Sequence, residues 1–152
     1  LLLVYPNKVL LRRLVPLFHP EMQHPFSNRV LMMKQVRQLS QVFRAEAAMA
    51  RAIDSARLGL GKTYPNPIVG AVITSATGEL ISEGFHQGAD HAEVIAIDAA
   101  QAKTVGSTLY VTLEPCNHHG KTPPCVDAII KSGIRKVVYA VSDPNPAAAG
   151  GA

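Results

Sequence analysis

The sequence predicts a three-layer α/β domain, a sheet with helices on both faces, and three observations lead there. From Ala45 onward the apolar residues alternate between helical and strand spacing in the order α-β-β-α-β-α-β. Gly, Pro, Asp and Asn signals fall between the segments. A length of 152 residues, 47% hydrophobic and 17% charged, suits a single globular core.

The elements follow in order. Ala45 to Leu58 is Ala-rich, with Ala48, Met49, Ala52, Ile53 and Ala56 at helical spacing and Gly59 and Gly61 as stop signals. Ile68 to Ile73 is a short apolar run between Pro67 and the Thr77-Gly78 turn, and Leu80 to Phe85 can pair with it as a hairpin. Ala92 to Ala102 carries a second helical pattern through Val94, Ile95 and Ile97. Thr108 to Leu113 reads as a strand, Val126 to Lys131 as a helix ended by Gly133, and Lys136 to Val141 as the last strand.

Residues 1–43 behave differently: an apolar start, Pro at 6, 16, 20 and 25, scattered Arg and no sustained periodicity. They read as a disordered leader outside the domain of residues 44–146. An Arg-rich, acid-poor leader suits organelle targeting, but only Ser27 and Ser40 supply the serine such peptides favour. A translation start at Met32 or Met33 is the preferred expectation, which places the protein in the cytoplasm. Residues 147–152 are low-complexity Ala and Gly, the mark of a linker or truncated end.

The net charge of +4 is unevenly placed. Residues 1–44 hold seven Lys and Arg against Glu21 alone, whereas the remainder nets −2. The domain therefore lacks a polyanion-binding excess, and with 5% aromatics and no Trp it has few platforms for stacking bases. Nucleic acid is not an expected partner. Apolar runs stay short of the roughly 18 residues a membrane span needs, so no membrane role is expected either.

Chemistry concentrates in two segments, His91-Ala92-Glu93 and Pro115 to Cys125. The chain's two cysteines, Cys116 and Cys125, are separated by eight residues. A loop-closing disulfide is the bland alternative, but the nearby His-x-Glu favours a metal. His91, Cys116 and Cys125 make a zinc ligand set with the fourth position open to water. Both halves fall at helix N-termini, where free amides favour thiolates. At about 100° per residue His91 and Glu93 point to opposite sides of a regular helix, so both can serve one ion only if His91 lies at the cap. Glu93 then acts as the proton carrier for water whose pKa the ion lowers to roughly 7, the chemistry of hydrolytic deamination. Zinc rather than iron follows from ligand softness.

These segments resemble the signature of zinc nucleobase deaminases, His-x-Glu with Pro-Cys and a later Cys. The eight-residue cysteine spacing, Leu113-Glu114-Pro115-Cys116 and Gly120 to Cys125 are similar to the deaminase domain of riboflavin biosynthesis, diaminohydroxyphosphoribosylaminopyrimidine deaminase. Asn66-Pro67-x-Val69-Gly70 and Asp143-Pro144-Asn145-Pro146 match it too. The resemblance covers about residues 45–146. It implies a cytidine deaminase-like fold with a mixed central sheet, and deamination of 2,5-diamino-6-ribosylamino-4(3H)-pyrimidinone 5′-phosphate. It also implies zinc on His91, Cys116 and Cys125, Glu93 as catalytic proton shuttle, and a homo-oligomer. Asn66 matches a pyrimidine contact and Lys121 a cation near the phosphate; Lys121 is also the one cation between Lys103 and Lys131. His86 matches a substrate-reaching His, but the segment from Gly84 to Asp90 is shorter than the family's loop, which puts that contact in doubt. His118 and His119 read as loop residues, because a fourth protein ligand would leave no room for water, and Glu114 as a buried hydrogen-bonding residue.

Two other functions compete. A deaminase of free bases, nucleosides or tRNA is disfavoured by the cysteine spacing, Lys121 and the domain charge. A non-catalytic zinc module, or a remnant of such an enzyme, has no use for Glu93. Many family members continue into an NADPH-dependent reductase domain. Nothing in this sequence could form one, so no NADPH oxidation is expected.

Overall fold

The computed structural model describes residues 3–4, 25–119 and 122–145. Their order is β1 (Leu3–Val4), α1 (Pro25–Arg57), β2 (Gly70–Thr74), β3 (Leu80–Phe85), α2 (Ala92–Ala100) with a 3-10 turn over Gln101–Thr104, β4 (Thr108–Leu113), α3 (Cys125–Lys131) and β5 (Lys136–Val141). The sheet order is β1-β5-β4-β2-β3. β2 runs antiparallel to both β3 and β4, while β4, β5 and β1 are mutually parallel, so the sheet is mixed.

Period-2 alternation divides the strands between two cores. On one face Ala71, Ile73, Leu109, Val111 and Tyr139 pack with Ala92, Ala96 and Ala100 of α2 and Cys125 and Ile129 of α3. On the other, Val72, Tyr110 and Val138 meet Ala48 and Ala52 of α1. Val72, Ile73, Leu109 and Val111 are fully buried, each contributing about 1.5–3 kcal/mol on transfer from water. Three layers result.

Two glycines let the helices approach closely. A Cβ on Gly70 would sit 2.0 Å from the Ala52 carbonyl oxygen of α1, and one on Gly84 would sit 2.6 Å from the Ala92 carbonyl oxygen of α2. α2 is therefore pressed directly on β3, which fixes where its N-terminus points.

Three expectations need correction. α1 begins twenty residues before Ala45, at Pro25, so residues 25–43 are helical where the sequence suggested a disordered leader. Phe26 to Leu58 contains no Gly or Pro and is rich in Leu, Met, Gln, Lys, Arg and Ala, enough to sustain a helix without an apolar stripe. The extension leaves Met32, Met33 and Val36 more than half exposed, which is why the packing period starts only near Ala45. Ile53 points outward at 42% exposure, leaving Ala52 and Ala56 as the contact row. β1, inside the same leader, adds a two-residue parallel strand beside β5, Leu3 opposite Val138.

Candidate metal centre

One edge of the sheet gathers the chemistry, because β2 starts there while β3, β4 and β5 end there. His91 follows β3 and occupies the N-cap of α2 with extended backbone, φ −77° and ψ 150°. Its carbonyl accepts the first helical bond, from the Ile95 N–H at 3.1 Å. That non-helical cap turns the imidazole toward the same side as Glu93, the second helical residue.

Cys116 follows β4, and Cys125 is the first residue of α3. The free amides of α3 are spent on Cys116: the Cys125 N–H donates to its Sγ at 3.4 Å and the Val126 N–H to its carbonyl at 3.3 Å. His91 Nδ1 lies 3.0 Å from Cys125 Sγ and 3.6 Å from Cys116 Sγ. The three donor atoms lie within 4.8 Å of one another, and both thiols are free of a disulfide. Bonds of about 2.1 Å to nitrogen and 2.3 Å to sulfur would put tetrahedral ligand atoms roughly 3.6–3.8 Å apart, so the donor set fits one ion.

Electrostatics follow the same geometry. A hydrogen bond from the Cys125 thiol, with His91 and the α3 amide adding to it, holds the Cys116 thiol down to about 4. The partner thiol is pushed up in turn, because one proton serves both sulfurs. The bond to Cys116 raises the His91 imidazole. Glu93, 4% exposed, is pushed up chiefly by burial, which favours a carboxyl that holds a proton.

A cavity of about 580 Å³ opens over the centre, lined by His91, Glu93 and Cys116. That is the size range of small-molecule sites. Asn66 and His86 line it too, and the Asn66 amide nitrogen lies 3.3 Å from His86 Nε2. The short segment after Gly84 does not carry His86 away. Its backbone N–H donates to the Val69 carbonyl at 2.9 Å, and Gln87 pairs with Asp90 across a tight turn with Gly88 at φ +63°. The rings of His86 and His91 meet edge-on at 5.4 Å. Burial, with His91 adding to it, lowers the His86 pKa, which favours the neutral ring.

Lys121 lies outside the described residues. His118 and His119 are exposed in the loop between β4 and α3, His118 forming part of the cavity wall. Glu114 is buried and accepts the Asp143 N–H at 3.2 Å. Asp143 and Asn145, not among the expected site residues, also line the cavity. Their signal was the Asp-Pro-Asn-Pro turn after β5, a strand that ends at this edge; Asp143 Oδ1 accepts the Asn145 N–H at 2.9 Å.

Residues 43–141 match the family model described as the cytidine and deoxycytidylate deaminase zinc-binding region. The chain belongs to that deaminase family. Among its relatives, the diaminohydroxyphosphoribosylamino-pyrimidine deaminase of Buchnera aphidicola subsp. Schizaphis graminum is 52% identical over 104 residues, 67% of this chain and 70% of that one. The riboflavin biosynthesis protein RibD of Escherichia coli is 53% identical over 107 residues, 69% of this chain but 29% of that protein. A crystal structure of the Thermotoga maritima deaminase/reductase superposes with a TM-score of 0.67 at 53% identity, covering 72% of this chain and 32% of that one. The chain thus spans under a third of these two longer relatives. The chain thus belongs to a deaminase family with a cytidine deaminase-like fold, and its relatives include riboflavin-biosynthesis proteins.

Proposed function

We propose that the chain deaminates 2,5-diamino-6-ribosylamino-4(3H)-pyrimidinone 5′-phosphate, releasing ammonia, with zinc held by His91, Cys116 and Cys125. One observation carries the reading: three metal-ligating atoms cluster at a cavity that His91, Cys116 and the buried Glu93 line, on a chain half identical to a named pyrimidine deaminase over most of that protein's length. Two thiolates and an imidazole are a soft set that suits zinc. When bound, such an ion supplies Lewis-acid activation of water.

The chain's own residues do the rest. Glu93 takes a proton from the attacking water and passes it to a ring nitrogen of the amidine, then takes the second proton from the hydroxyl of the adduct and delivers it to the departing amine, which leaves as ammonia. Water adds at the ring carbon, the C–N bond to the amine breaks, and the carbonyl oxygen comes from water. Burial raises the Glu93 pKa above the ordinary carboxylate range, the direction that helps a carboxyl hold a proton between the two transfers. Asn66, held by His86, orients the ring, and Lys121 meets the 5′-phosphate. The reading carries with it a homo-oligomer working in the cytoplasm, a targeting leader being the alternative.

The test compares ammonia release from the phosphorylated pyrimidine with release from cytidine and guanine. Turnover of the first alone is expected; turnover confined to the other two removes the assignment.

A further inference from the structure

A second cavity, of about 700 Å³, lies at the opposite edge of the sheet. Thr108 at the start of β4 lines it, whereas the metal loop follows the end of that strand, about 16 Å away at 3.3 Å per residue. Four cations line it: Arg37 and Arg44 from α1, Arg135 and Lys136 from the start of β5. Its lining contains no Asp or Glu. Among the described residues, the ion pairs are Arg51 with Glu83 and Arg57 with Asp54, so none of the four is paired with a carboxylate. The nearest acid on the hairpin turn, Glu79, is engaged with the Thr77 hydroxyl at 3.4 Å.

The arrangement is built rather than incidental. Arg44 donates to the Ser40 carbonyl, the Ser40 hydroxyl and the Thr77 carbonyl, each at 3.1 Å, which ties α1 to the hairpin turn. Gly78, at φ +90°, leaves room for this: a Cβ there would lie 2.5 Å from Arg44 Cδ. Of the five guanidinium N–H groups, two remain for a ligand. Arg37, Ser40 and Arg44 share one helix face at spacings of three and four. The Arg135 and Lys136 amides donate to the Ser107 carbonyl, which fixes the other wall. Four like charges facing one cleft repel one another, and an anion between them relieves that repulsion.

We propose that this cleft binds a small molecule bearing a phosphate or diphosphate, at a site separate from the metal cavity. A compact occupant fits better than a polynucleotide, since the cations converge on one cleft and the single aromatic in its lining, Tyr110, is 8% exposed in the floor. The inference also gives a use to two of the basic residues that make the first 44 positions so positive.

The experiment titrates the full isotope-labelled chain with inorganic pyrophosphate and follows backbone amides by NMR. Saturable shifts at Thr77, Gly78 and Lys136 are expected. Arg135→Gln with Lys136→Gln should weaken binding at least about tenfold, while Arg135→Lys retains most of it. Arg135 is exposed and Lys136 half-buried at the first position of β5, and neither belongs to a core cluster, so the melting temperature should move little. Shifts confined to His91 and Glu93, or an affinity untouched by the double substitution, overturn the proposal. So does tighter binding of a single-stranded oligonucleotide at the same amides, which would mark a polyanion face instead.

Discussion

Gly84→Ala tests how the sheet aims the helix that carries His91 and Glu93. The added Cβ would lie 2.6 Å from the Ala92 carbonyl oxygen, 2.8 Å from the Ala96 nitrogen and 3.0 Å from Ile95 Cβ. Two of these are backbone atoms and cannot rotate aside. Restoring ordinary contact requires α2 to retreat by roughly 0.8 Å at Ala92. The helix resists, since Ala92 and Ala96 are wholly buried and the Ser82 hydroxyl donates to the Ala96 carbonyl at 2.7 Å. Overpacking of this kind costs about 1–3 kcal/mol, and each kcal/mol lowers the melting temperature of a domain this size by about 4–8 °C. His91 and Glu93 flank Ala92 and move with it, and a misplacement approaching 1 Å costs up to about a hundredfold in rate. Thermal unfolding and ammonia release should therefore fall together. Gly61→Ala is the control: its φ is positive but nothing lies within 4 Å of the new Cβ, so only local backbone strain of about 1–2 kcal/mol is expected. A Gly84→Ala protein with unchanged melting and unchanged kcat/KM would refute the account of how α2 is positioned.

Glu93→Gln should lower kcat by about 10²–10⁴-fold while metal content stays at the wild-type level, because the carboxylate is outside the ligand group; loss of metal from this variant would make Glu93 a ligand instead. Chelation should lower the melting temperature, since an ion bound at a hundredfold excess over its Kd stabilises by about 2.7 kcal/mol; a melt indifferent to chelator argues against a resident ion. Glu114→Ala removes the acceptor of the Asp143 N–H and should cost about 1–3 kcal/mol, with KM rising because Asp143 and Asn145 line the cavity; Glu114→Gln, which keeps an acceptor, should recover most of it. Arg51→Ala breaks a 2.7 Å ion pair whose side chains are 54% and 41% exposed, and no measurable change in melting is expected.

The sequence announced its elements where local pattern and tertiary packing agree. β3, β4 and β5 begin and end at the residues their alternation indicated, because each has one face against α1 and the other against α2 or α3. The placement of His91 at a helix cap was readable for a different reason: two residues two positions apart cannot face one point within a regular helix. What stayed hidden lacked a packing signal. Residues 30–40 of α1 show no buried stripe, so only the freedom of residues 26–44 from Gly and Pro betrays the helix. Asp143 and Asn145 carry the marks of a turn, and nothing local says that the turn folds back over the cavity; the Glu114 bond that holds it there spans 29 positions.

The decisive asymmetry of the site is the cost of Glu93. Burying a carboxyl is unfavourable, and burial pushes the Glu93 pKa up. His91, Cys116 and Cys125 supply three ligands, one short of the closed four-ligand set of a structural ion, and Ala92, Ala96 and Ala100 show that α2 packs well with small apolar residues. A site evolved only to staple two helix ends would be more stable with an apolar residue at position 93. An acid at position 93, in a small-molecule-sized cavity and beside the three ligands, is what the proposed proton transfer requires. The same reasoning predicts the sign of a stability experiment: Glu93→Leu should hold its metal and melt no lower than the wild type, while releasing no ammonia.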